Sequence, residues 1–222
     1  MGGAVEKEKR AGLTVFQLKV LAIASMAADH IGAVLYTDEI WLRYAGRLAF
    51  PIFCFLLVEG YCHTRDVRKY MGRLGLFALI SEYPFDLAFH HRLWTLEKQN
   101  VFFTLFIGLG MLWLLDKEKD IVIRAGIVLL AMWAAEILHT DYGFRGILLI
   151  AVFQMAGERK TVQYIGGAAW NFLWESRIQN AGALAVIPIA LYNGKKGRSM
   201  KYFFYLFYPV HLIILYLLAY KC

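Results

Sequence analysis

A histidine can take and return a proton near neutral pH, and an ionisable group inside an apolar run is costly unless it is paired or functional. The stretch LKVLAIASMAADHIG, residues 18–32, holds such a residue, His30, beside Asp29. Ala22, Ser25, Asp29 and Gly32 recur there on one helical face as a seam suited to close helix packing. Two readings stand. The pair caps that packing seam, or Asp29 orients His30 as a general base facing a cavity. Downstream, GRLAFPIF (46–53) brings Arg47, a guanidinium able to stabilise a developing oxyanion, and LLVEGYCHTR (56–65) brings Glu59. Pro51 between them frees a backbone carbonyl and predicts a bend.

Arg65, Arg68, Lys69 and Arg73 form a basic cluster after that run. It reads either as ordinary charge sorting of a membrane protein or as a phosphate site, because Arg forks match phosphate oxygens. Glu82 and Asp86, then Asn100, then His139, Asp141, Tyr142 and Arg145 recur at one predicted depth, joined by Trp170, Asn171, Glu175, Gln179 and Asn180. So many polar groups at one level point to a wet pocket enclosed by helices. His211 lies mid-run beside Pro209, and its catalytic and packing readings are evenly balanced. Lys195 and Lys196 sit in a Gly-containing turn, YNGKKG. Cys54 and Cys62, eight residues apart on one predicted helix, are about 12 Å apart and too far to bridge. With Cys222 they form no metal spacing, and no metal is expected.

The elements that must position these groups can be read from composition. Of 222 residues, 59% are hydrophobic and 18% charged, and the mean hydropathy is +0.50. A soluble fold has too little polar surface here to cover itself, so soluble, disordered and disulfide-scaffold classes are excluded. Apolar runs at roughly 13–36, 41–62, 70–89, 101–115, 121–138, 144–156, 161–175, 178–193 and 202–220 predict an all-α integral membrane protein, a polytopic bundle of about nine transmembrane helices. The 161–193 region is the weakest of these, since Glu175-Ser176-Arg177 fits a broken or re-entrant hairpin as well. The larger share of the 24 Lys and Arg falls inside if the N-terminus is cytoplasmic and the C-terminus outside. Lys7, Lys9 and Arg10 then belong to a cytoplasmic tail over residues 1–12, ahead of an uncleaved first span, and 1–222 forms a single transmembrane domain. The net charge of +7 reflects those loops rather than nucleic-acid binding. No repeat of matching halves is evident, which counts against a transporter built by inverted duplication.

The result is one basic, aromatic region on the cytoplasmic side and one His-, Asp- and Glu-rich region at mid-to-outer depth. That layout suits an activated donor arriving from the cytosol and an acceptor arriving from the far side.

The matching stretches LKxxAxxSMxxDHIG (18–32), GRLAFPIFCFLLVEGYxHTRxVxKYxxRL (46–74), NVFFTL (100–105), DYGFRG (141–146), YNGKKG and KYFFYLFYPVHL (192–212) resemble the TraX family, known for N-acetylation of conjugative pilin at its terminal amine. The family is similar to a wider group of multi-helix membrane acyltransferases. The resemblance implies acetyl-CoA or another acyl-CoA as donor, and His30 as the catalytic histidine of the first helix. It also implies a CoA side at Arg65, Arg68, Lys69 and Arg73; topology extends this to Lys195 and Lys196. In the expected mechanism His30, oriented by Asp29, either deprotonates the acceptor or briefly takes the acyl group itself, and Arg47 or a backbone amide stabilises the oxyanion. Glu59, Glu82, Asp86, Asn100, His139, Asp141, Tyr142, Arg145 and His211 are the expected pocket. The partners implied are the lipid bilayer of a bacterial inner membrane, acyl-CoA and an amine or hydroxyl acceptor. Oligomeric state is left open. A transporter and a non-catalytic assembly factor for surface appendages are the alternatives.

Overall fold

The computed structural model describes residues 11–174 and 176–220, and among them every regular element is helical. The expected tail charges Lys7, Lys9 and Arg10, together with Glu175, Lys221 and Cys222, lie outside the described residues. The elements are α1 (Val15–Val34), α2 (Ile40–Gly46), α3 (Ala49–Cys62), α4 (Val67–His90), α5 (Val101–Leu115), α6 (Ile121–Ile137) and α7 (Gly143–Ala156). Next come α8 (Lys160–Trp170), α9 (Arg177–Asn180), α10 (Val186–Ala190) and α11 (Lys201–Tyr220). Short 3-10 turns at Asn171–Leu173 and Ala181–Ala185 join the pieces between α8 and α10.

Side chains set where these helices start. Thr14 and Gln17 form a reciprocal capping box at α1. Asp66 Oδ1 accepts from the Lys69 amide at 2.9 Å, Asn100 Oδ1 from Phe102 at 3.0 Å, and Asp120 Oδ1 from Val122 at 2.8 Å, capping α4, α5 and α6.

Each apolar run of the sequence becomes helical, but not each becomes a full span. By length and composition three segments can cross a membrane, Val15–Val34, Ile40–Cys62 and Lys201–Tyr220. Val101–Leu115 and Gly143–Ala156 are shorter apolar helices. The predicted run 41–62 is divided between α2 and α3 at Arg47 and Leu48, because Pro51 has no N–H to close a bond onto the Arg47 carbonyl. The predicted run 178–193 is three short pieces rather than one helix. The seam on α1 packs against α2 closely: a side-chain carbon on Gly32 would meet Leu42 Cβ at 2.7 Å, and one on Gly46 would collide with Asp29. Ser25 Oγ donates across the same contact to the Ala45 carbonyl at 2.6 Å.

Helices α1, α11, α4, α5, α7 and α3 contact one another in that cyclic order and form a ring. α2 packs on α1, α6 on α5 and α7, and the α8–α10 arm on α7. Two isolated bridges mark the ends of the ring. Leu13 pairs with Tyr192 at the end carrying the basic loops, and Gln99 pairs with Thr140 at the other. The predicted alternation of loop sides puts both members of each pair together.

The polarity of the bundle is inverted relative to a soluble protein. Leu79, Tyr83, Leu129, Leu130 and Trp133 face outward, while Glu82, Asp86, Asn100 and Asn171 have no exposed surface. An outer surface of that kind is matched by lipid, and this is a membrane protein. Glu82 Oε2 accepts from the Asn100 side chain and from the Asn100 amide at 3.2 Å, and Asn100 Nδ2 also reaches the Ala78 carbonyl at 2.8 Å. Asn100→Ala removes the α5 cap and leaves a buried carboxyl with only the backbone amide of residue 100 as donor, so it should cost about 1–3 kcal/mol of stability, read as earlier thermal unfolding in detergent.

Candidate functional site: two cavities and a histidine pair

Stripes of 3.6-residue period turn inward from the ring and enclose two cavities. The first, about 390 Å³, lies at the basic end. Lys19 from α1, Glu59 from α3, Tyr70 and Arg73 from α4, Tyr192 and Lys196 from the turn before α11, and Lys201 and Tyr205 from α11 line it. Its mouth is marked by exposed His63, Gly194, Lys196 and Lys201. Tyr192 donates its hydroxyl proton to Glu59 Oε1 at 2.7 Å, and the Arg73 guanidinium stands 5.7 Å from the Tyr70 ring centre.

The second cavity, about 280 Å³, lies toward the opposite end. Asp29, His30, Arg43, Arg47, His90, Lys98, Asp141, Tyr142 and Gln179 supply its polar lining. Met26, Phe53, Val101 and Tyr208 line both cavities, so the two adjoin at these side chains.

His30, which lines the second cavity, meets His211 of α11. His30 Nδ1 is 2.7 Å from His211 Nε2, and the rings are parallel within 6°. His211 Nδ1 is 2.7 Å from the Phe207 carbonyl, which can only accept. His211 therefore carries its proton on Nδ1, its Nε2 accepts, and the His30 Nδ1–H donates to it. His30 is left with a lone pair on Nε2. That is the arrangement of a general base.

Asp29 is not part of that chain. Neighbouring residues on a helix point about 100° apart, so His30 faces α11 while Asp29 faces α2. Asp29 takes a short hydrogen bond from Arg47 Nη2, and Arg43 Nη1 lies 3.5 Å from its other oxygen. The expectation that Asp29 orients His30 is thus corrected: His211 does so. Arg47, expected at an oxyanion, is committed to Asp29 and to the Arg43 carbonyl at 3.3 Å. Gln179 lies 3.5 Å from Arg47 and donates to buried Asn171 at 3.0 Å, which ties the α8–α10 arm to the cavity wall.

The remaining expected residues divide. Of the basic set, Arg73 and Lys196 line the first cavity; Arg65, Arg68, Lys69 and Lys195 are exposed and do not. Lys69 instead pairs with Asp66 at 3.2 Å, and the backbone and ammonium of Lys69 hold the Asp66 carboxyl below its usual range. Glu59 lines the first cavity, and Asp141 and Tyr142 line the second, with Asp141 paired to Lys98 at 2.7 Å. Glu82, Asp86 and Asn100 lie outside both linings. They fasten α4 to the α4–α5 connection and to the start of α5, Asp86 through the Thr95 amide at 2.8 Å. His139 is exposed in a left-handed turn, and Arg145 stacks over Trp174 at 4.7 Å from the ring centre. Sequence reasoning missed Lys19, Tyr70, Lys201, Arg43, His90 and Lys98 as lining residues. The first had a signal: Lys19, Met26 and His30 share one face of α1. Among the described residues no group of three or more His, Cys, Asp or Glu could hold a metal ion.

Known proteins resemble the chain over 61–91% of its length. A "Probable fimbrial assembly protein FimC, serogroup H1" from Dichelobacter nodosus is 32% identical, over 91% of this chain and 94% of that one. A "Protein TraX" from Escherichia coli (strain K12) is 28% identical over 61% of this chain, which spans about half (53%) of that relative's length. An uncharacterised protein from Rickettsia prowazekii is 27% identical over 65% of the chain. No solved structure matches. The family described as TraX protein matches residues 15–219, and the chain belongs to the TraX family.

Proposed function

We propose that this chain is a membrane-embedded acyltransferase that moves an acetyl or other acyl group from cytosolic acyl-CoA to an amine or hydroxyl presented from the outer side. The observation that carries this reading is the meeting of a cation-lined cavity with a histidine-lined one across Met26, Phe53, Val101 and Tyr208. The relative named for fimbrial assembly, together with the resemblance to pilin N-acetylation, favours a pilin or fimbrial subunit, through its N-terminal amine, as acceptor. The protein then sits in a bacterial inner membrane as a multi-pass protein, with the basic end cytoplasmic and the C-terminus outside, as its Lys and Arg distribution favours.

Lys19, Arg73, Lys196 and Lys201 suit the phosphates of the donor, and the hydroxyls of Tyr70 and Tyr205 suit its polar arm. A cavity of this size takes that arm, so the nucleotide stays at the mouth among Lys196 and Lys201. His30 Nε2 takes the proton of the attacking amine or hydroxyl as its nitrogen or oxygen bonds to the thioester carbonyl carbon. The carbon–sulfur bond then breaks, and the leaving thiolate receives that proton from His30. The products are an amide or ester and free thiol. Because donor and acceptor approach through separate cavities, both are held together before transfer, and intersecting rather than parallel double-reciprocal plots are expected.

Calorimetric titration of acetyl-CoA into detergent-purified protein tests the donor side. Arg73→Gln should weaken binding about tenfold or more, the contribution of one charge-assisted contact, while Arg68→Gln should leave it unchanged. Equal losses in both variants would return the donor to the loop surface. Well-folded protein that binds no acyl-CoA and forms no acylated product would sink the reading and favour export through the same cavities.

A further inference from the structure

We propose that His211 is a positioning residue that shares the transferred proton with His30, so that the two imidazoles act as one base; this rests on the acyl-transfer reading above. Three observations support the pairing. The His30 Nδ1 to His211 Nε2 and His211 Nδ1 to Phe207 carbonyl contacts, both 2.7 Å, form an unbroken line of donors and acceptors. Phe207 precedes His211 by one turn of α11, so its carbonyl cannot swing away without breaking the helix. His211 is 9% exposed, which excludes water from competing for its Nε2. Edge contacts from Phe89 (5.2 Å) and Tyr208 (5.9 Å) hold the His30 ring in that plane.

The charges around the pair explain why one ring does not suffice. The cavity that His30 lines also holds Asp29 of α1, Arg43 of α2, Arg47 at the break, His90 of α4, Lys98 ahead of α5, Asp141 and Tyr142 ahead of α7, and Tyr208 of α11. Three of these are fixed cations and two are carboxylates, each carboxylate already bonded to a cation. A positive charge localised on His30 would meet uncompensated repulsion. When His30 Nε2 takes the acceptor's proton, the Nδ1 proton passes to His211 Nε2, and His211 keeps its Nδ1–H on the Phe207 carbonyl. The charge then rests on the ring farther from Arg43 and Arg47. Collapse of the intermediate reverses both shifts: His30 Nε2 gives its proton to the thiolate, and His211 Nε2 returns the other to His30 Nδ1. No proton is left over.

Two variants separate positioning from packing. His211→Gln places an oxygen near the position of Nε2, so it holds the His30 Nδ1–H without being able to take it. We expect kcat to fall about tenfold with KM unchanged, and about 100-fold in His211→Ala, which keeps neither function. In mixed light and heavy water the wild-type rate should curve with deuterium fraction, as two protons move, whereas His211→Gln should give a straight line. A merely structural histidine would leave both lines alike, and that result overturns the proposal. Nitrogen-15 spectra of histidine-labelled protein, without any substrate, should show His30 protonated at Nδ1 and His211 at Nδ1. His30 protonated at Nε2 instead would disprove the pairing even if the protein proves to be an acyltransferase. A wild-type protein with the expected spectrum but no acyl transfer would leave the pairing intact, overturn the acyl-transfer reading, and remove the relay with it.

Discussion

On the acyl-transfer reading, replacing His30 by Ala should remove about 10²- to 10⁴-fold of the transfer rate, the range over which a positioned general base acts, and should leave acyl-CoA binding as it was. The two effects separate because His30 lines only the second cavity, while Lys19, Arg73, Lys196 and Lys201 line only the first. Folding should be little disturbed. The substitution strands one acceptor, His211 Nε2, at a cost of about 1–3 kcal/mol. Single-turnover formation of labelled product, run beside calorimetric donor binding and thermal unfolding, reads all three quantities. A variant that keeps wild-type turnover removes His30 from the chemistry. A variant that loses donor binding as well would mean the cavities are not independent.

The largest expected effect on stability belongs to Asp29→Ala. Removing one partner of a buried ion pair leaves the other uncompensated and costs about 3–5 kcal/mol. Side-chain exposures of 14% for Asp29 and 16% for Arg47 place the pair near, though not at, full burial, so the lower end of that range is expected. The loss should be structural first: Asp29 holds Arg47 at the junction of α2 and α3, and Arg47 in turn touches the α8–α10 arm through Gln179. Asp29→Asn keeps the shape and one acceptor and should lose less. Unfolding midpoints in detergent check both. Were Asp29 the orienter of His30, Asp29→Asn would instead depress kcat with stability unchanged, and that pattern would return it to the catalytic role.

How legible all this was in the sequence depends on what sets each feature. The helical class and the run boundaries come from local composition, and α1, α5, α6 and α7 lie close to their predicted limits. A bend in the 41–62 run was legible too, because Pro51 has a fixed local consequence; that it would divide the run into two helices was not. What failed was depth and direction. Glu82 and Asn100 were read as pocket residues because buried polar groups in a membrane are commonly functional; whether such a group faces a cavity or another helix is decided by a partner elsewhere in the chain. Asp29 and His30 illustrate the same limit at the smallest scale. Adjacency suggested that one orients the other, yet adjacency on a helix separates their faces. Arg68 and Arg73 look alike as charges. Five residues is 500° of helix rotation at about 100° per residue, enough to leave one in solvent and turn the other inward. The His211 partnership, 181 residues from His30, has no local signal beyond the cost of a histidine in an apolar run.

That separation also bears on how the protein is made. Chains enter a membrane from the N-terminus onward, so α1 is in place long before α11 is synthesised. Until then His30 lacks its His211 partner for Nδ1, and the wall carrying Lys201, Tyr205 and Tyr208 is absent. On the acyl-transfer reading, a chain that has inserted α1 to α10 but not α11 should not yet consume acyl-CoA. Activity should begin only when α11 slots between α1 and α4.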